Sequence, residues 1–105
     1  LYIPRLMGLK TYKVLSGSME PEYHVGSVVY VEKSSIDDIE VGDVITFYIN
    51  DNTVVTHRVI DKDNDTESFH TKGDANETED GGSVAYDKVV GKVVLNVPYL
   101  GYILR

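Results

Sequence analysis

The sequence predicts an all-β domain, either a small, partly closed barrel or a pair of orthogonal sheets, with little helix. Three observations support this class. Val, Ile, Tyr and Phe gather in short runs typical of strands. Clusters rich in Asp, Asn and Gly separate the runs and provide turn chemistry. The 105 residues contain neither repeats nor a linker, so one domain covers residues 1–105.

The first half of the chain predicts three strands, the last two of which form a hairpin. Residues 25–32 are rich in Val and Tyr and predict a strand, and residues 34–40 have the spacing of one helical turn at most. A second strand is predicted over residues 44–49 and a third over residues 53–60. Asn50-Asp51-Asn52 between them tolerates the tight geometry of a hairpin turn.

The second half of the chain predicts a turn, two strands and a long loop. Residues 61–66 are polar and predict a turn, and residues 68–71 and 88–95 predict strands, with Gly91 at a bulge or kink. The acidic loop runs from Gly73 to about Tyr86. A loop of this length is unusual in so small a domain and indicates a function.

Composition excludes several kinds of site. The net charge of −7 leaves no basic stripe for nucleic acid, and the absence of cysteine excludes thiolate ligands and a cysteine nucleophile. Three scattered histidines do not provide a metal-binding motif, so we expect neither metal nor cofactor. No apolar run reaches the roughly 18 residues that would span a bilayer.

Both ends of the chain are apolar, over residues 1–7 and 97–104. Two interpretations fit this observation equally well on composition alone. The domain is trimmed of membrane anchors, or a hydrophobic strand closes the fold.

A serine, a histidine and two aspartates are the candidate functional residues. In Ser16-Gly17-Ser18-Met19-Glu20-Pro21, glycine and proline predict a constrained turn that exposes Ser18. His57 shares a strand face with Val55 and Val59, which places the imidazole among apolar side chains. A buried histidine with a purely structural role is the alternative. Asp74 and Asp80 lie in the long loop.

Five segments in order along the chain resemble the motifs of type I signal peptidases. The resemblance runs from about Val14 to Leu95, and its segments are Val14–Pro21, Gly26-Ser27, Gly42–Ile45, Val55–Val59 and Thr71–Asn76. The sequence is most similar to the branch found in spore-forming bacteria, archaea and the endoplasmic reticulum. The other bacterial branch has a lysine base at the position of His57.

The resemblance implies a role for each candidate residue. Ser18 matches the nucleophile and His57 the general base, a residue type whose ordinary pKa suits proton transfer near neutral pH. Asp74 and Asp80 match two acidic positions six residues apart. Either one is a candidate to orient the histidine. The Ser16 hydroxyl and the Ser18 amide match the groups that form the oxyanion hole.

The resemblance also implies a substrate and a location. Signal peptidases cleave exported precursors after small residues at the −1 and −3 positions, so we expect the signal-peptide region of such precursors to be the substrate. The family implies a membrane-spanning segment before Val14, with the catalytic domain on the extracytoplasmic or lumenal face. We therefore favour a domain trimmed of its anchors. Partner subunits are compatible with the family.

Two alternatives are also considered. One is a peptide-binding β module of the same fold that has lost its activity; Ser18, His57 and both aspartates are intact, which argues against it. The other is a self-cleaving, repressor-type protease that uses a serine and a lysine. Lys62 and Lys72 are present, but neither occupies the position of His57.

Overall fold

The computed structural model describes residues 9–97, and its strands form one antiparallel sheet that is not closed. The all-β prediction is confirmed. The apolar ends lie outside the described residues, apart from Val97. In chain order the strands are β1 (Leu9–Lys13), β2 (Val28–Glu32), β3 (Val44–Asn50), β4 (Thr53–Asp63), β5 (Ser68–Lys72), β6 (Val84–Ala85) and β7 (Val89–Val97). Their order across the sheet is β1-β2-β7-β3-β4-β5-β6.

The helical content of residues 9–97 is limited to three single 3₁₀ turns. They comprise Gly17–Met19, Ile36–Asp38 and Tyr86–Lys88. In this part of the chain, no helix has the length and apolar character needed to cross a bilayer.

The predicted hairpin is confirmed as β3 and β4, which pair from Val44 with Arg58 to Asn50 with Thr53. β4 is longer than predicted and continues to Asp63, into the segment expected to be a turn. The turn begins there because the Asp63 carboxylate accepts hydrogen bonds from the amides of Asp65 and Thr66, at 2.9 and 3.2 Å.

Two strands were not predicted. β1 carries two lysines in five residues, and β6 has only two residues, so neither has the apolar run that indicates a strand. β2 begins at Val28 instead of residue 25. The chain first turns at Gly26, whose φ of 92° favours glycine and whose amide donates to the carbonyl of Val14.

Gly91 permits a close approach between strands β7 and β2. A Cβ atom at this position would lie 2.1 Å from the carbonyl oxygen of Glu32, too close for any side chain. The register between β3 and β7 shifts next to this glycine, where Thr46 pairs with Gly91 but Phe47 pairs with Val89. The predicted irregularity therefore lies beside Gly91.

The hydrophobic core packs against one face of the β3–β4–β5 region. Its buried members are Ile39, Ile45, Phe47, Val59, Phe69 and Val84. Successive residues of a strand point to opposite faces, so His57 points to the same face as Val59 and lies at the margin of this core.

Candidate active site

Ser18 lies in the middle of the 3₁₀ turn Gly17–Met19. Ser16 caps this turn with an extended backbone, and its hydroxyl accepts a long hydrogen bond of 3.4 Å from the Ser18 amide. Met19 is buried and anchors the turn, while Ser18 is only partly buried. The predicted constrained turn is therefore present, and it holds Ser18 where a solute can reach it.

His57 reaches Ser18 from β4. The distance between His57 Nε2 and Ser18 Oγ is 3.0 Å, within hydrogen-bonding range. Only 9% of His57 is exposed, and its ring packs edge-on against Phe47 with 6.4 Å between ring centroids. Apolar contacts on one side and a serine on the other leave the ring little freedom to turn.

Asp80 completes a line of three side chains. Its Oδ2 lies 2.7 Å from His57 Nδ1. An ionised carboxylate only accepts hydrogen bonds, so Nδ1 carries the proton and Nε2 is left as an acceptor for the Ser18 hydroxyl. A serine so placed has a base for its proton, and the base has a carboxylate that stabilises its charged form.

Asp74 lies apart from the histidine and is paired with Arg58. Two hydrogen bonds join them, from Arg58 Nε to Asp74 Oδ1 at 2.9 Å and from Nη2 to Oδ2 at 2.8 Å. These bonds hold the pKa of the Asp74 carboxyl below its ordinary value, and they raise the pKa of Arg58. Of the two candidate aspartates, Asp80 contacts the histidine and Asp74 does not.

The loop that carries both aspartates passes around the free edge of β4. β5 ends at Lys72, which pairs with Arg58, so within residues 9–97 the register gives the earlier residues of β4 no partner on β5. His57 and Arg58 point to opposite faces. The loop places Asp74 beside Arg58 and Asp80 beside His57.

The start of this loop also packs against the serine turn. The Ala75 amide donates to the Ser18 carbonyl at 2.8 Å, and the Asp74 amide contacts the sulfur of Met19 at 3.3 Å. A Cβ atom on Gly73 would lie 2.7 Å from the Ser18 carbonyl oxygen, so only glycine permits this approach. The Arg58–Asp74 pair thus fixes a segment that supports the backbone of Ser18.

The Ser16 hydroxyl lies 3.0 Å from the Ser18 hydroxyl. If Ser18 donates to His57, Ser16 must be the donor in this contact, because each hydroxyl has one proton. In that case the Ser16 hydroxyl and the Ser18 amide are two donors close to Ser18 Oγ. The other histidines lie elsewhere: His24 is exposed and pairs with Glu20, and His70 is partly buried on β5.

A cavity of about 440 Å³ opens beside Ser18 and His57. Its walls are residues 12–16, which extend from β1, and residues 53–57 at the start of β4, while Met19, Tyr23 and Val29 also line it. Both walls are extended backbone, and burial of Tyr12 and Tyr23 raises the pKa of both phenols. A cavity between two extended segments fits an extended peptide.

The sequence indicated roles for Ser16, Ser18, His57, Asp74 and Asp80, which lie together here with two residues to which it assigned no role. Arg58 belonged to a recognised motif but had no assigned role, and its position next to His57 gives no hint of a bond to Asp74. Thr71, whose hydroxyl donates to Asp80 at 2.6 Å, was also missed. Its spacing from Asp80 carries no motif. In the described part of the chain, no group of acidic residues and histidines is arranged to hold a metal ion.

Comparison with known proteins adds an independent line of evidence. The family model described as signal peptidase, peptidase S26, matches residues 1–66. Signal peptidase I W of Bacillus subtilis is 43% identical over 82% of this chain and 47% of its own length. The human signal peptidase complex catalytic subunit SEC11C is 36% identical over 86% of this chain and 53% of its own length. The chain thus spans about half the length of these curated relatives.

Proposed function

The chain belongs to the signal peptidase family, peptidase S26, and from that premise we propose that it is a serine endopeptidase domain that removes signal peptides from exported precursors. One observation carries the proposal, namely the continuous line of contacts from Ser18 Oγ through His57 to Asp80. In this proposal Ser18 is the nucleophile, His57 the general base and Asp80 the residue that orients the base.

The proposed reaction has two halves. In the first, Ser18 Oγ attacks the scissile carbonyl while its proton passes to His57 Nε2, and the proton then goes to the leaving amine as the peptide bond breaks. In the second, a water molecule gives a proton to His57 and attacks the acyl-enzyme carbonyl. The ester bond then breaks, His57 returns the proton to Ser18 Oγ, and the signal peptide leaves with a free carboxylate. A base so placed contributes about 10²- to 10⁴-fold in rate.

The proposed oxyanion hole consists of the Ser18 amide and the Ser16 hydroxyl. The amide's bond to Ser16 Oγ is long, at 3.4 Å, so the amide retains most of its capacity to donate to a developing oxyanion. The Ser16 hydroxyl needs only a rotation about its C–O bond to move its proton from Ser18 Oγ to that oxyanion. One such donor is worth about 3 to 4 kcal/mol in the transition state.

The cavity beside Ser18 supports the proposed substrate class. An extended peptide between residues 12–16 and 53–57 would form main-chain hydrogen bonds to both walls, with alternate side chains directed into the cavity. In such an arrangement the side chains at −1 and −3 point the same way. In this proposal, small residues are selected at both positions because larger side chains are excluded beside Ser18.

The proposal includes a membrane setting. We place the domain on the extracytoplasmic or lumenal side of a membrane, held there by a membrane anchor. A relative is named as the catalytic subunit of a signal peptidase complex, so partner subunits are part of the proposal. We propose no metal or other cofactor, because Ser18, His57 and Asp80 already provide a nucleophile, a general base and a carboxylate that orients the base.

The contacts of the lysines disfavour the repressor-type alternative. Lys62 Nζ donates to the carbonyls of Ile36 and Ile39, both at 3.0 Å, and Lys72 Nζ contacts the Gly73 carbonyl at 3.3 Å. The nitrogen beside Ser18 Oγ belongs to His57. An inactive peptide-binding β module would not require the alignment of Ser18, His57 and Asp80, so this alternative is also disfavoured.

A peptide-cleavage assay tests the proposed function. The chain is incubated with a signal-peptide substrate that has Ala at −1 and −3, and with matched peptides that have Leu at one of these positions. We expect the peptide with Ala at both positions to be cleaved after its −1 residue, as identified by mass spectrometry, and the Leu peptides to remain intact. Ser18→Ala should cleave none of them. Cleavage that persists in Ser18→Ala, or that ignores the −1 and −3 residues, would contradict the proposal.

A further inference from the structure

We infer that Thr71 is a positioning residue for the Ser18–His57–Asp80 line, acting through Asp80. The inference rests on the proposed function and extends it to a fourth side chain. Thr71 does not touch the serine or the cavity beside it. Its hydroxyl donates to Asp80 Oδ2 at 2.6 Å, which is a short, charge-assisted hydrogen bond.

Thr71 holds Asp80 at two points. Besides the bond from its hydroxyl, its carbonyl oxygen accepts a hydrogen bond of 2.9 Å from the Asp80 amide. One contact fixes the backbone of the loop and the other fixes the side chain that the loop carries. Thr71 itself belongs to β5 and pairs with Val59 on β4, two residues beyond His57. The sheet therefore sets the distance between Asp80 and His57.

The carboxylate oxygen held by Thr71 is the same oxygen that contacts His57. Asp80 Oδ2 lies 2.7 Å from His57 Nδ1 and 2.6 Å from Thr71 Oγ1. Two donors on one oxygen define both its position and the rotation of the carboxylate. Asp80 needs such a restraint because 27% of its side chain is exposed and it precedes the exposed Gly81 and Gly82. Without it, water would compete with the imidazole for this oxygen.

The residue type at position 71 is hard to explain by packing alone. Thr71 is fully buried, on the face that also carries the buried Val59. Valine has nearly the same shape, favours strands equally and avoids the cost of burying a hydroxyl. A threonine here is favourable if the hydroxyl has a charged partner, and Asp80 is that partner.

The decisive test compares Thr71→Val with Thr71→Ser. Valine keeps the shape and removes the donor, whereas serine keeps the donor. We expect Thr71→Val to lower kcat by about 10- to 100-fold, the loss expected for one hydrogen bond to a charged group. KM should change little, because Thr71 does not line the cavity beside Ser18. Thr71→Ser should recover most of the activity.

The matched control is Ser68→Ala. Ser68 lies on the same strand, is also buried, and its hydroxyl bonds the Thr66 hydroxyl at 2.7 Å, away from Asp80. Loss of the Ser68 hydroxyl removes one partly buried hydrogen bond from β5, and this bond does not involve the Asp80 carboxylate. We expect kcat near the wild-type value, together with a loss of thermal stability similar to that of Thr71→Val.

A second readout does not depend on peptide cleavage. The Nδ1 proton of His57 is protected from exchange while Asp80 accepts it, so proton NMR should show it as a strongly downfield resonance. We expect this resonance to be present in wild type, Thr71→Ser and Ser68→Ala, and to broaden or disappear in Thr71→Val. A purely structural role for Thr71 would lower the melting temperature and leave the resonance in place.

The two readouts separate the inference from the proposed function. An active wild type with an unchanged kcat and resonance in Thr71→Val would overturn the inference alone. An inactive wild type would overturn the proposed function, and the resonance would still test the link between Thr71 and the Asp80–His57 pair.

Discussion

His57 and Arg58 are neighbours in sequence, yet their side chains act on opposite faces of the sheet. His57 contacts Ser18 and Asp80, while Arg58 binds Asp74 with two hydrogen bonds and the Gly42 carbonyl with a third at 2.7 Å. The alternation of side chains along β4 makes this division possible. The two acidic residues of the loop therefore differ in what they contact, and substitutions at each should differ in effect.

Asp80→Asn should lower kcat by about 10⁴-fold, because an amide favours the wrong tautomer of the histidine and stabilises its charged form poorly. Asp74→Asn should instead act through the loop that supports Ser18, with a smaller loss of kcat and a clear loss of stability. Steady-state kinetics and thermal unfolding of both variants provide the measurement. Equal activity in both variants would contradict the roles proposed for the aspartates.

Ser16→Ala should lower kcat by about 10²- to 10³-fold with KM little changed, because the lost hydrogen bond forms mainly in the transition state. Ser16→Thr retains the hydroxyl and should keep part of the activity. Ser16 also caps the serine turn, so unfolding must be measured alongside the kinetics. A loss of stability that accounts for the whole effect would assign Ser16 to the turn alone.

At the scale of elements, the candidate active site lies where a short turn, a strand edge and a loop meet. The loop approaches the turn closely enough that Gly73 has no room for a side chain against Ser18. The close approach at Gly73 is a packing constraint, so it can be tested without changing any polar side chain.

Gly73→Ala should reduce kcat strongly, because the added methyl group must displace the Ser18 carbonyl or the loop by several tenths of an ångström. Displacements of about 1 Å at a reacting group can cost about 10²-fold in rate. Gly82→Ala is the matched control, since a Cβ atom at Gly82 meets nothing within 4 Å. Wild-type activity in Gly73→Ala would show that the close approach is not needed.

Local patterns in the sequence predicted the elements that local chemistry determines. The hairpin of β3 and β4 follows from β-branched runs around Asn50-Asp51-Asn52, and the serine turn follows from Gly17 and Pro21. β1 was missed because its two lysines and its threonine are exposed and only Leu9 and Tyr12 are partly buried, so its pairing with β2 leaves no clear apolar pattern. The partners of Asp74 and Asp80 depend on the path of the loop around β4, which no local pattern encodes.

At the scale of the whole molecule, one ion pair links the sheet to the loop and couples stability to pH. The Arg58 and Asp74 side chains are 31% and 22% exposed, so the pair is partly shielded from water. Arg58 holds the pKa of Asp74 below the ordinary value of 3.8. The unfolded chain therefore takes up the proton first as the pH falls, and the stabilisation by this pair is lost in acid.

Asp74→Asn should lower the free energy of unfolding by about 1.5 to 3 kcal/mol near neutral pH. The difference from wild type should remain nearly constant down to about pH 4 and shrink below it, as Asp74 becomes protonated in the wild type. Chemical denaturation at a series of pH values measures both quantities. A difference that is independent of pH into strong acid would contradict an ionic contribution.

The contacts that align Ser18, His57 and Asp80 join residues far apart in the chain. Ser18 and His57 are separated by 39 residues, and His57 and Asp80 by 23. Contacts this distant in sequence require intervening loops to close first, so we expect them to form late in folding. In the proposed function, a partly folded copy would hold the proposed nucleophile and base apart, and cleavage would begin only when the sheet is complete. The onset of peptide cleavage during refolding would then report the completion of the fold.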